Sequence, residues 1–135
     1  MTTIRITADS PADFGAVHAL YEALDWNSLG LTTADLERMC RQSWHVLYAY
    51  EGDRLVGTGR IISDGVITGV ICGVGVHPAF QKRGIGKQLM RRLIDQCESN
   101  GVIAQLMCVE SLESYYETLG FKKFSIGMYR EPKNR

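Results

Sequence analysis

The chain has 135 residues, 45% of them hydrophobic and 22% charged, a balance that suits one compact domain over residues 1–135 burying roughly two-thirds of its unfolded surface. Fifteen basic residues offset fifteen acidic ones, which excludes the broad positive field of a nucleic-acid or anionic-membrane binder, so any anion site must be local. Cys40, Cys72, Cys97 and Cys108 show no CxxC pairing and no His at metal spacing, and the first residues lack the apolar core of a signal peptide. The expectation is reduced, mostly buried thiols, no metal and a cytoplasmic location.

Residues 3–8 alternate like a strand. Asp9-Ser10-Pro11 then reads as the capping sequence of a helix over about 11–24, with Phe14, Val17, Leu20, Tyr21 and Leu24 as its apolar stripe. After a loop at 25–30, a second helix starts with Thr32 or Thr33 as cap, turns Leu36, Met39 and Cys40 inward and ends near Ser43. Residues 44–50 are rich in strand formers and lead into a hairpin turn at Glu51-Gly52-Asp53. A third strand covers 54–63, Asp64-Gly65 turns the chain, and a fourth strand covers 66–77. The stretch 65–76 is apolar but too short and too rich in glycine to span a bilayer.

Gln81-Lys82-Arg83-Gly84-Ile85-Gly86-Lys87 follows, a loop with two glycines and three cations at the start of a helix whose face is Ile85, Leu89, Met90, Leu93, Ile94 and Cys97. Bare backbone N–H groups and the helix dipole favour an anion there. Lys87 strengthens the case, because a cation in the first turn is disfavoured by roughly 0.3–1 kcal/mol unless something negative binds nearby. Asn100-Gly101 stops the helix, and the nearly continuous apolar run 102–109 predicts a parallel strand covered on both faces. A short helix over 111–119 ends at Gly120, and Phe121, Phe124, Ile126, Met128 and Tyr129 suggest one or two final strands. Two common phosphate motifs fail by spacing. Gly86-Lys87 is followed by Gln88 and the leading glycine of a P-loop is replaced by Gln81; Gly84-Ile85-Gly86 has Leu89 where a dinucleotide fingerprint needs its third glycine.

The run from Val74-Gly75-Val76-His77-Pro78 through Phe80 to Gln81-Lys82-Arg83-Gly84-Ile85-Gly86-Lys87 resembles the acetyl-CoA motif of the GCN5-related N-acetyltransferases (GNAT). Tyr115-Tyr116-Glu117-Thr118-Leu119-Gly120-Phe121 is similar to the segment closing that family's acceptor-proximal half, and the order of elements agrees along essentially the whole chain. The resemblance implies an α/β fold with a mixed, mostly antiparallel central sheet, a splayed parallel pair formed by strands four and five, and about four helices. It implies acetyl-CoA as co-substrate, with no metal. The amides of 82–87 would hold the pyrophosphate, aided by Gln81, Lys82, Arg83 and Lys87, with Gly84, Ile85 and Gly86 opening the helix. The pantetheine arm would bond to the backbone around Val74, Gly75 and Val76, and Gly73 and Gly75 are compatible with a bulge. Tyr116 would serve as general acid, with Tyr115 packing beside it.

The base is left open between His77 and water relays to Asp25, Glu22 or a backbone carbonyl, since 70–74 carries no carboxylate. For the acceptor, Tyr21, Glu22, Asp25 and Trp26 would supply aromatic walls and acidic groups suited to a cationic, aryl or alkyl amine. The implied activity is acetyl transfer to a small primary amine. Peptide N-termini and lysines, or a weakly catalytic acyl-CoA-binding module, are the alternatives. A homodimer is compatible with the pattern, and Arg91 and Arg92 read either as a solvated helix face or as contacts to the cofactor's 3′-phosphate.

Overall fold

The computed structural model describes residues 3–133. Five strands form one sheet in the order β1 (Ile4–Thr7), β2 (His45–Glu51), β3 (Arg54–Ser63), β4 (Thr68–Val76) and β5 (Ile103–Gln105). The first four pair antiparallel with their neighbours, as tight turns at Gly52 and Gly65 demand, and only β4 and β5 run parallel. Four helices, α1 (Gly15–Ala23), α2 (Thr33–Gln42), α3 (Ile85–Ser99) and α4 (Glu113–Thr118), together with short 3-10 turns at Pro78–Phe80 and Glu110–Leu112, complete the described structure. The mixed sheet and the parallel β4/β5 pair are those expected from the sequence.

The sheet separates two cores because successive side chains of a strand point to opposite faces. On one face α1 and α2 close over Tyr48, Tyr50 and Leu55 with Val17, Leu20, Tyr21, Leu36 and Cys40. On the other α3 lays Ile85, Leu89, Met90, Leu93 and Cys97 against Leu47, Ala49, Val56 and Ile61, matching the stripe read from its 3.6-residue period. Thr32 caps α2 in a reciprocal box with Asp35: the Thr32 hydroxyl accepts the Asp35 amide at 3.1 Å, and the Asp35 carboxylate accepts the Thr32 amide at 2.9 Å.

Three expectations need correction. First, Asp9-Ser10-Pro11 caps nothing; α1 begins four residues after Pro11, at Gly15, whose amide is taken up by the Asp13 carboxylate at 2.8 Å, so the start follows the apolar stripe at Phe14 rather than the proline. Second, β5 is only three residues long and not sandwiched: α3 covers one face, where Ala104 and Leu106 pack on the core, while Ile103 is 60% exposed and Met107 78%. Third, residues 121–133 form no strand, and Phe124, Ile126, Met128 and Tyr129 lie open to solvent; alternation alone does not make a strand without an edge to pair with. The thiols are free, as expected, but only Cys40 and Cys97 are buried and Cys108 is exposed.

Candidate active site

The strand pair β4/β5 stays together only from Thr68↔Ile103 to Val70↔Gln105. Beyond that point β4 continues to Val76 with no partner on its β5 side, and a cleft of about 300 Å³ opens between it and the 106–107 segment. The cause lies in β4 itself. Against β3 the register runs Arg60↔Cys72 and then Thr58↔Gly75, so β4 spends one extra residue in a bulge around Gly73. Gly73 has φ +61°, a left-handed conformation that glycine adopts without cost, and the bulge turns β4 away from β5.

The cleft is walled by Cys72, Gly73 and Val74 of β4, by Trp26 on the acceptor-facing side, and by Leu106, Met107 and Tyr116 opposite. Trp26 sits edge-on to Tyr21, ring centroids 5.4 Å apart, and its indole crosses so close over Gly75 that a Cβ there would fall 2.3 Å from the ring. Tyr116 is held on α4 by edge-to-face contacts with Tyr115 at 5.0 Å and Phe121 at 6.1 Å. Its hydroxyl is kept above the ordinary tyrosine pKa by burial first, with Tyr115 and Cys108 adding to the rise, so it holds its proton throughout the neutral range.

At the other end of β4 the chain passes through the Pro78–Phe80 turn into the loop at 81–87. Lys82 (φ +65°) and Gly84 (φ +81°) are both left-handed, which turns successive amides toward one side ahead of α3. No hydrogen bond within the chain takes up the amides of residues 82–87 among the described residues. A Cβ on Gly84 would meet nothing within 4 Å, so the mouth of this nest is open. Lys82 and Lys87 make no ion pair among the described residues and add positive charge beside it.

Other residues named from the sequence have structural partners. Gln81 donates its side-chain amide to the Val76 carbonyl at 3.0 Å, tying the loop to the end of β4. Arg83 lies over the Phe80 ring at 5.0 Å and pairs with Glu51 at 3.6 Å. His77 accepts the Ala79 amide at Nδ1 and sets Nε2 3.2 Å from Arg54 Nη2, which makes it a turn cap facing away from the cleft lining. Glu22 faces His18 at 3.6 Å and accepts from Asn27 at 2.9 Å, and Asp25 is an exposed left-handed turn residue. Arg92 donates to the Ile6 carbonyl at 2.9 Å, a structural tie from α3 to β1. The cleft lining therefore gathers Trp26, Val74 and Tyr116, with Tyr21 packed against Trp26, and leaves out His77, Glu22 and Asp25. Cys72, Met90, Leu106 and Met107 were not read from the sequence as site residues; besides the resemblance, the bulge-prone Gly73 and Gly75 signalled that β4 would part from its neighbour there.

A mixed sheet whose parallel strands part beside a loop of free amides is the arrangement that the resemblance to the GCN5-related N-acetyltransferases implies. Residues 11–121 match the profile of the acetyltransferase (GNAT) family, and the chain belongs to that family. Among curated proteins it is 31% identical to an L-methionine sulfoximine/L-methionine sulfone acetyltransferase of Salmonella typhimurium, over 88% of this chain and 79% of that protein. It is also 37% identical to the [ribosomal protein bS18]-alanine N-acetyltransferase of the same organism, over 39% of this chain and 38% of that one. The chain spans about two fifths of the length of several curated relatives it matches. Among solved structures, glucosamine-6-phosphate N-acetyltransferase from Arabidopsis thaliana superposes with a TM-score of 0.76 at 19% identity, covering 96% of this chain and 98% of that one. A Trypanosoma brucei acetyltransferase gives 0.79 at 21%, covering 96% and 100%; both likenesses concern the fold alone.

Proposed function

We propose that the chain is an acetyl-CoA-dependent N-acetyltransferase acting on a small primary amine, with Tyr116 as general acid. The observation that carries this is the order of three features along β4 and the loop after it: a cleft with Tyr116 on its wall, an unpaired edge of β4 from Ile71 to Val76, and an amide nest with free N–H groups at 82–87. The three fit a ligand with a reactive end, an amide-bearing arm and a pyrophosphate, in that order. Bound there, acetyl-CoA supplies an acetyl thioester whose carbonyl takes the amine and whose thiolate leaves.

The chain's own residues divide the remaining work. Amides of 82–87 bind the diphosphate, helped by the α3 dipole, Lys82 and Lys87. Backbone groups along β4 receive the arm as an added strand, and that edge is open because β5 has ended. Tyr116, protonated at neutral pH, delivers its proton to the departing sulfur. The cleft lining contains no carboxylate or imidazole among the described residues, so proton loss from the attacking amine falls to water in the open cleft.

The test is thiol release from acetyl-CoA with a panel of amines, amino acids and peptides. A small amine or amino acid should turn over, and Tyr116→Phe should lower kcat by roughly a hundredfold or more while the affinity for CoA stays close to that of the wild type. The wild-type rate should hold without an alkaline fall up to about pH 10, since the acid is lost only above its raised pKa. CoA binding without any thiol release would make the chain a binding module, and turnover confined to peptides would move the acceptor to protein N-termini.

A further inference from the structure

Arg60 stands on β3 opposite Cys72 of β4, on the sheet face covered by α1 and α2. Its electrostatic neighbours are Tyr21, Cys40 and Cys72, each held neutral by burial. No carboxylate lies within 4 Å of its guanidinium among the described residues, and its Nε is fully shielded from solvent without a hydrogen-bond partner. Arg60 as a whole is only half-buried and shares a hydrogen bond with Tyr21, but a shielded Nε–H without an acceptor is costly, because the lost hydration of that donor is not replaced. Such an orphan donor calls for a group that arrives from outside.

The pair lies directly behind the cleft wall. A Cβ at Gly73, which lines the cleft, would lie 3.3 Å from Arg60 Nε and 3.3 Å from Tyr21 Oη, so the absence of a side chain there keeps both donors close to that wall. Trp26, edge-on to Tyr21, fixes the adjoining wall. The acidic groups expected to greet a cationic amine are turned away: Glu22 is engaged by His18 and Asn27, and Asp25 faces solvent. Behind the Gly73 wall of the cleft there thus stands a cation with no carboxylate partner among the described residues, hydrogen-bonded to the Tyr21 hydroxyl.

Granting acetyl transfer as proposed above, on which this assignment rests, we infer that the acceptor amine carries a carboxylate and that Arg60, with the Tyr21 hydroxyl beside it, is the residue that selects it. The substrate class is then a free α-amino acid. The planar fork of a guanidinium suits a carboxylate, and a charge-assisted pair there gives both anchoring and orientation of the neighbouring amine. A simple aryl or alkyl amine would bring Arg60 no carboxylate, nor would an internal peptide.

The decisive measurement compares matched pairs, L-phenylalanine with phenethylamine and L-methionine with 3-(methylthio)propylamine, by thiol release from acetyl-CoA. Glucosamine 6-phosphate is the third arm. In the wild type the amino acid of each pair should have the lower KM, by roughly ten- to a hundredfold. Arg60→Gln should collapse that ratio toward one chiefly through KM of the amino acid, and Arg60→Lys should restore part of it. Equal use of both members of a pair, preference for the decarboxylated amine, or preference for the amino-sugar phosphate would each overturn the assignment. Equal loss with both members in Arg60→Gln would do so too, since that marks a structural role. Should Arg60→Gln fail to fold, the wild-type pairs still decide. Absence of thiol release with every amine would sink acetyl transfer itself; calorimetry of L-phenylalanine and L-methionine then decides the site, which stands if wild-type binding is lost in Arg60→Gln and falls if neither amino acid binds.

Discussion

The chain up to Val102 and the chain after it carry similar apolar patterning and meet different fates. Before that point the sheet and α3 close off a continuous core; after it no described residue is buried. What differs is the partner. Residues 85–97 cross β2, β3 and β4, so each apolar side chain of α3 finds a facing strand. Residues 103–129 lay Ala104, Leu106, Tyr116, Leu119 and Phe121 against the flank of that core but leave Ile103, Met107, Val109, Phe124, Ile126 and Met128 on sides that no second layer covers. Hydrophobic character supplies the drive to be buried, and only a second layer supplies the place.

Leu89→Ala gives the largest stability effect this contrast predicts. Leu89 is 0% exposed at the centre of the α3 face, and removing its side chain leaves a cavity between α3 and β3, where Gly57 has no side chain to fill it. The expected loss is about 2–5 kcal/mol, read from chemical denaturation. A loss below about 1 kcal/mol would mean that α3 is not the pillar of the fold.

Gly84→Asp separates function from stability within the same helix. The new Cβ meets nothing within 4 Å, so the fold tolerates it apart from the φ +81° backbone, which costs about 1 kcal/mol for a non-glycine residue. The carboxylate, however, faces the amide nest. CoA affinity measured by calorimetry should fall at least about a hundredfold through repulsion and blocked approach. Retained affinity would remove the phosphates from this loop.

How far these features were legible from sequence follows the same division. The α3 stripe, the capping of α2, the two hairpin turns and the loop at 81–87 depend on local periodicity and turn chemistry, and all stand where the residues pointed. The parting of β4 and β5 was signalled by glycines at 73 and 75 and by resemblance, although the exact bulge needs the register against Thr58 and Arg60. Arg60 gave no signal. A cation in a strand alternates onto an ordinary polar position, and only the packing around that face leaves it half-buried with Nε shielded and unpartnered. His77 reads two ways from sequence, because a titratable ring at the end of β4 is equally a turn cap; in the structure its nitrogens are engaged with Ala79 and Arg54. The last strands misled because pairing is a long-range property, absent from the alternation of 124, 126 and 128.

The smallest predicted effect is the sharpest test of the contrast. Met128 is 90% exposed and Ile126 86%, so Met128→Ser removes a side chain that has already kept nearly all of its hydration. Stability should change by no more than about 0.5 kcal/mol in the same denaturation experiment that registers Leu89→Ala. The two substitutions each shorten an unbranched or branched aliphatic chain, so transfer free energy alone would rank them alike, and only burial separates them. A Met128→Ser loss above about 1 kcal/mol would show that the 121–133 segment gains a partner in solution. Repeating the measurement at tenfold different protein concentrations then identifies that partner: a concentration-dependent loss points to a second copy of the chain, since association stabilises by mass action, and a concentration-independent one to the exposed flank of β5 in the same molecule.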